Sequence, residues 1–276
     1  MSKYQLTRRA RTTSFVPVAR ACALLIAFGA CVASAGARAT GANVPYEIVA
    51  THPHDARGFT QGLHWHDGRL VESFGRYGES ALLLRAVRDA TPVARRALAR
   101  AHFGEGVSGD GRRFVQLTWR EGVALIYDLA LRPIGRYTYD GEGWGLAWDG
   151  ARWLMSDGSS RIVARHHDSF APSGGFEVTD RGRRVTMLNE LEFARGRLYA
   201  NVWNSDRIAV IDPAGGTVEA WLDLSALRKG FARPPGWNEG ENVLNGIAFD
   251  PGSGHFFVTG KRWPVLYEIR LPGARR

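Results

Sequence analysis

A glycine-punctuated segment recurs five times along this chain of 276 residues. The copies lie at 59–73, 104–117, 143–156, 189–201 and 245–259. Each reads as an apolar strand, a turn with Asp-Gly or its equivalent, and a second apolar strand, which is the pattern of a β-hairpin. Equivalent positions are Gly62, Gly106, Gly145, Leu191 and Gly246, spaced 44, 39, 46 and 55 residues apart. Hairpins repeating every 40–50 residues point to propeller blades. Each hairpin needs about two more strands to complete a four-stranded blade. Apolar runs at 80–87, 124–128, 162–166, 208–212 and 266–271 supply the third strands, each followed by an outer one. A strand at 46–50 joins the last blade and closes the ring, which removes free sheet edges. The expected fold is all-β, a five-bladed β-propeller. Long amphipathic helical patterns are scarce, and the polar insertion 226–242 is expected to begin with a short helical turn.

Residues 1–37 read as a cleaved export signal. A basic region at 3–11 precedes an apolar run at 21–33 and small residues that suit cleavage near Ala35 and Ala37. The run is shorter than the roughly 20 residues a membrane span needs. The body, 38–276, is expected to be a single domain in a periplasmic or secreted protein. The formal charge of +9 is misleading, because the signal carries five basic residues and no acid. The remaining 31 basic and 27 acidic residues do not argue for nucleic acid or a membrane surface. Both cysteines, Cys22 and Cys31, fall inside the signal. The body therefore has no disulfide, no thiolate nucleophile and no cysteine-based zinc site.

In a propeller, loops entering and leaving the innermost strands meet at one end of the channel. The candidates near the repeat positions are Gln61, Glu72, Gln116, Trp119, Trp144, Asp157, Asn189, Glu190, Asn201, Trp203, Asn245 and Lys261. Alternation puts Glu72 beside buried residues, where an apolar channel raises a carboxyl into range for proton transfer. The competing reading is a carboxylate that holds backbone amides or pairs with an arginine. Lys261 reads either as a site cation or as a solvated turn lysine. Trp65, Trp148 and Trp153 read as core. His52/His54 and His64/His66 have a spacing that zinc can use, but no third ligand joins them, and His64 and His66 read as solvent-facing. No nucleophile elbow, phosphate loop or dinucleotide fingerprint is present. No metal or cofactor is expected.

Eight motifs run in order through residues 46–271. They are Phe59-Thr-Gln-Gly-Leu63, Glu72-Ser-x-Gly-x-Tyr-Gly78, Leu117-Thr-Trp119, Gly143-Trp-Gly-Leu146, Leu188-Asn-Glu-Leu-Glu192, Ala200-Asn-Val-Trp203, Leu244-Asn-Gly-Ile-Ala248 and Val258-Thr-Gly-Lys-x-Trp-Pro264. Together they resemble the plant and bacterial type of glutaminyl-peptide cyclotransferase. The resemblance implies a five-bladed propeller that converts an N-terminal glutamine of a peptide or protein to pyroglutamate, releases ammonia and uses no metal. Carried over by motif, the site residues are Glu72 and Lys261 as catalytic groups, with Phe59, Gln61, Trp119, Trp144, Asn189 and Trp203 binding substrate. Glu72 is then the proton shuttle and Lys261 steadies the oxyanion. Phe74 departs from the family's usual small polar residue. The implied partner is a glutamine-initiated peptide, and the chain is expected to be a monomer. Two other classes stay open: a peptide-binding propeller without activity, and a metal-dependent, lactonase-like hydrolase.

Overall fold

A computed structural model of the protein describes residues 41–272; the export signal assigned to 1–37 lies outside them. Short strands β1 (Ala42–Asn43) and β2 (Glu47–Pro53) lead into a succession of antiparallel meanders. The first sheet holds β3 (Thr60–His66), β4 (Arg69–Phe74), β5 (Ala81–Ala86) and β6 (Pro92–Ala97), in that order. The second holds β7 (Gly104–Gly109), β8 (Phe114–Thr118), β9 (Val123–Tyr127) and β10 (Pro133–Thr138). The third holds β11 (Leu146–Trp148), β12 (Arg152–Met155), β13 (Arg161–His166) and β14 (Pro172–Glu177). A hairpin of β15 (Thr179–Asp180) and β16 (Arg183–Arg184) precedes the meander β17 (Leu188–Ala194), β18 (Arg197–Val202), β19 (Arg207–Asp212) and β20 (Thr217–Asp223). After α1 (Ser225–Lys229) come β21 (Leu244–Asp250), β22 (His255–Gly260) and β23 (Val265–Arg270). β2 pairs with β23 and completes that last sheet, as the sequence predicts.

The arrangement is an all-β propeller. Four sheets are plain four-stranded blades, which corrects the expectation of a five-bladed propeller in which every blade has four strands. The sheet of β17–β20 is widened to seven strands. Its outer strand β20 would otherwise be a bare edge. Both β1 and β15 lie parallel along it, Ala42 beside Ala220 and Thr179 beside Thr217, and β15 carries β16. Covering an edge in this way removes a template for unwanted pairing.

Apolar faces pack sheet against sheet. Val71, Leu82 and Leu84 of the first sheet meet Val107, Phe114 and Tyr127 of the second, for example. At the seam between the first and last sheets, Trp65 stacks on Phe257 at 5.0 Å and 3°. The first strands touch in a cycle: β3 with β7, β7 with β11, β11 with β17, β17 with β21, and β21 with β3.

The repeat glycines line this inner ring because the backbones there leave no room for a side chain. A Cβ on Gly62 would sit 2.5 Å from the Val107 nitrogen. One on Gly106 would sit 2.7 Å from Gly145 Cα, and one on Gly145 only 2.0 Å from the Asn189 carbonyl oxygen. Backbone cannot step aside as a flexible side chain can. Gly145→Ala is therefore expected to cost about 1–3 kcal/mol, a fall of roughly 3–10 °C in the thermal midpoint. Gly135→Ala, whose Cβ would have only Ile126 Cδ1 at 3.5 Å, should leave the midpoint nearly unchanged. Circular dichroism melts of the two variants make the comparison.

Candidate active site

The starts of four of the five inner strands are irregular. Register shifts fall between Thr60 and Gly62, Gly104 and Val107, Leu188 and Leu191, and Leu244 and Ile247. Such bulges leave residues out of the ladder and re-aim their side chains. The residues so released are Gln61, Glu105 with Gly106, Asn189 with Glu190, and Asn245 with Gly246. They sit where first strands begin, beside the ends of the second strands.

A cavity of about 390 Å³ lies at this end. Phe59, Gln61, Phe103, Glu105, Trp119, Glu142, Trp144, Asn189, Trp203, Glu241 and Lys261 line it, with Arg120 and Gly240. All five sheets and the 226–242 insertion contribute. The aromatic rings interlock: Phe59 meets Phe103 edge-on at 6.4 Å, Phe103 tilts onto Trp119 at 5.6 Å, and Trp144 meets Trp203 edge-on at 5.8 Å. Lys261 Nζ lies 4.9 Å from the Phe59 ring centre and the Arg76 guanidinium 4.7 Å from it. Arg76 also binds Glu241 at 2.8 Å, which ties the insertion to the rim.

Seven of the eight residues assigned from the sequence line this cavity: Phe59, Gln61, Trp119, Trp144, Asn189, Trp203 and Lys261. Glu72 does not. It lines a separate cavity of about 480 Å³ beside Asp55, Arg57, Phe74 and Arg85, and Phe59 borders both. Its carboxylate is fully buried and fully engaged. Oε1 accepts from His54 Nε2 at 2.8 Å and from the Thr60 hydroxyl at 2.8 Å, and Oε2 accepts from Arg85 Nε at 2.9 Å. Burial alone would raise its pKa. The charges of His54 and Arg85, with the hydrogen bonds, outweigh burial and bring it down to about 2. A carboxylate so tightly held cannot exchange protons near neutrality. The expectation of Glu72 as proton shuttle is corrected on these grounds, and the arginine-paired alternative describes it.

The cavity also holds a buried carboxyl, Glu105, which sequence reasoning missed. It is 5% exposed, and Gln61 Nε2 donates to its Oε1 at 2.8 Å. Gln61 is itself held by Asn245 Nδ2 at 3.2 Å. Burial lifts the Glu105 pKa well above the ordinary carboxyl value. Lys261 opposes the rise, and Glu142 and Glu121 add to it. Burial also lowers Lys261 from 10.5 to about 8, against the pull of Glu105 and Glu241. Asn189 Oδ1 is buried without a partner in the protein. A signal for Glu105 did exist. In the repeat it occupies the place of Gln61, one residue before the glycine.

Glu190 and Asn201 brace the ring, whereas Asp157 is exposed and accepts from Ser159. Fully buried Glu190 accepts backbone N–H groups of Leu63 at 3.1 Å and Ile247 at 2.8 Å, so it ties the first sheet to the last. Asn201 accepts from the Gly246 N–H at 3.1 Å. His64 and His66 are half-buried against Phe114, at 6.1 and 5.0 Å, and are not solvent-facing as expected. Among the described residues no group of three or more His, Cys, Asp or Glu side chains is placed to hold a metal ion.

A propeller whose blades surround an aromatic cavity, with one buried carboxyl of raised pKa and one buried lysine, has the makings of an acid/base enzyme for a small reacting group. The chain belongs to the glutamine cyclotransferase family, whose model matches residues 22–271. It is 38% identical over 233 residues to the glutaminyl-peptide cyclotransferase of Arabidopsis thaliana, covering 83% of this chain and 72% of that one. The crystal structure of Myxococcus xanthus glutaminyl cyclase superposes with a TM-score of 0.77 at 39% identity, covering 84% of this chain and 98% of that chain.

The Glu72 network predicts a defined acid sensitivity. The folded-state pKa lies below the unfolded value, so its stabilisation is present above about pH 4.5 and is lost as pH falls toward 2. Glu72→Gln should cost about 3–5 kcal/mol at pH 7 by leaving Arg85 unpaired. It should also flatten the loss of stability across that acid window. Urea unfolding at several pH values measures both effects.

Proposed function

We infer that the protein is a glutaminyl-peptide cyclotransferase, which closes the N-terminal glutamine of a peptide into pyroglutamate and releases ammonia. The observation that carries this reading is that buried Glu105 and buried Lys261 line the same aromatic cavity and each bears on the other's charge, on a chain of the glutamine cyclotransferase family.

The reaction is an intramolecular attack of the α-amine on the side-chain amide carbon. Holding the bent conformer therefore supplies much of the rate. Trp119, Trp144 and Trp203 wall the cavity, keep water from the amide and suppress hydrolysis to glutamate. Gln61 occupies Oε1 of Glu105, so proton exchange with the substrate falls to Oε2. Glu105 takes a proton from the attacking amine and returns one to the departing nitrogen, which leaves as ammonia. A carboxyl raised by burial suits both steps near neutral pH. Lys261 in its charged form, with Asn189, stabilises the oxyanion on the former amide oxygen.

We further propose that the ring counts five blades, with the widened sheet as the fourth in sequence. The cycle of five inner strands supports this count. The basic and apolar N-terminal segment supports export to the periplasm or beyond, and we propose a monomer that acts without a metal.

Ammonia release from a glutamine-initiated peptide, with chelator present, tests the activity; no release from folded protein would overturn it. Glu105→Gln should lower kcat/KM by about 10²–10⁴-fold, the usual worth of a positioned acid/base. Glu72→Gln should keep far more turnover per folded molecule. As pH rises past about 8, Lys261 loses its charge and kcat/KM should fall. Lys261→Arg should move that alkaline limb upward, because guanidinium keeps its proton.

A further inference from the structure

The tryptophan walls of the cavity come from different sheets, and one carboxylate joins two of them. Trp119 follows β8 in the second sheet, and Trp144 precedes β11 in the third. Glu142 Oε2 accepts the Trp119 indole N–H at 2.7 Å and the Trp144 indole N–H at 2.9 Å. Its Oε1 accepts Arg120 Nε at 2.9 Å. The Arg120 guanidinium in turn covers the Trp119 ring at 3.7 Å from its centre.

We propose that Glu142 is the positioning residue of the pocket: through a single carboxylate oxygen it locks the indoles of Trp119 and Trp144 into one wall. This deepens the cyclotransferase reading and rests on it for its kinetic consequence. An indole is a donor with no acceptor capacity. A free indole N–H in the cavity would compete for the substrate's amide oxygen and hold it away from Lys261 and Asn189. With both N–H groups consumed, the two indoles offer only carbon faces to the ligand. Charge-assisted bonds of this kind are about twice as strong as neutral ones. The wall therefore stays in place without a cross-strand ladder between Trp119 and Trp144.

Glu142 also acts through its charge. The charged and polar groups that bear on Glu105 are Lys261, Glu142, Glu121 and hydrogen-bonded Gln61. Of these, Glu142 and Glu121 favour the protonated form and Lys261 opposes it. Arg120 and both indole hydrogen bonds keep Glu142 itself ionised: burial pushes its pKa up, and they outweigh burial and lower it. Geometry and charge can be separated by substitution. Glu142→Asp keeps the charge and withdraws the oxygens by one methylene. Glu142→Gln keeps one acceptor oxygen and removes the charge.

The test combines indole N–H resonances from two-dimensional NMR with steady-state kinetics on a glutamine-initiated peptide. The chain has nine tryptophans, and Trp119→Phe and Trp144→Phe assign the two resonances of interest. In Glu142→Ala, both should move upfield and exchange faster with solvent while the others stay. KM should rise about tenfold, the worth of one charge-assisted hydrogen bond, with a smaller change in kcat. Glu142→Gln should shift the acid limb of the kcat/KM profile to lower pH, and Glu142→Asp should leave that limb in place. Unmoved Trp119 and Trp144 resonances, or an unchanged KM at parental thermal stability, would overturn the proposal. If Glu142→Ala does not fold, near-isosteric Glu142→Gln carries the same comparison, with at least one of the two resonances moving. If the parent releases no ammonia, the functional reading falls, and the resonances alone decide whether Glu142 sets the wall.

Discussion

Backbone-to-backbone contact around the propeller axis is the constraint on which the rest of this structure depends. Gly62, Gly106 and Gly145 stand so close to the next inner strand that a single Cβ would strike main chain. Close approach brings the strand starts within side-chain reach of one another. The bulges then release Gln61, Glu105, Asn189 and Asn245 toward a shared cavity. Without the glycines the ring would have to widen, and Asn245 could no longer reach Gln61, nor Gln61 reach Glu105. Buried Glu190 tightens the same ring from within. It satisfies two backbone donors on two sheets where no strand ladder can run.

Two buried carboxylates show how strongly surroundings decide chemistry. Glu72 and Glu105 are both nearly inaccessible to water. Arg85 and His54 sit directly on Glu72, and the ion pair holds it ionised as a structural joint between sheets. Glu105 has a neutral amide as its hydrogen-bond partner and two further carboxylates in its field, so burial prevails over the pull of Lys261 and its pKa is raised. The same side chain is held as a rivet in one place and has its pKa raised in the other. The difference lies in which residue faces it, not in depth of burial.

Much of the architecture was legible in the sequence because local hairpin chemistry repeats. The turn residues, the alternating apolar runs and the glycine period foretold the strands, the closing role of β2 and the short helix of the insertion. The widening of one sheet was not legible. β1, β15 and β16 are only two residues long, and their pairing with β20 depends on a bare edge that exists only after the ring forms. The site was legible where a residue type is unusual for its strand, as with the tryptophans and Lys261. Glu72 misled because strand alternation reports burial and says nothing of partners. Arg85 lies 13 residues from it in sequence yet reaches its carboxylate across neighbouring strands. Glu105 was overlooked although the repeat places it in register with Gln61, since a carboxylate next to two glycines reads as turn.

The pairing of β2 with β23 joins the start of the described chain to its end. Lys261 follows β22, and the first sheet supplies Phe59 and Gln61. The cavity therefore spans the order of synthesis: its earliest and latest residues are made some two hundred positions apart. Each blade can form its local hairpins as it emerges, because those contacts are short in sequence. The pocket cannot. Its lysine has no place to stand until the final blade has been made and its outer position has been filled by β2, which emerged near the start. Acid and base thus come together only when the whole chain is present, and no growing fragment holds the assembled site.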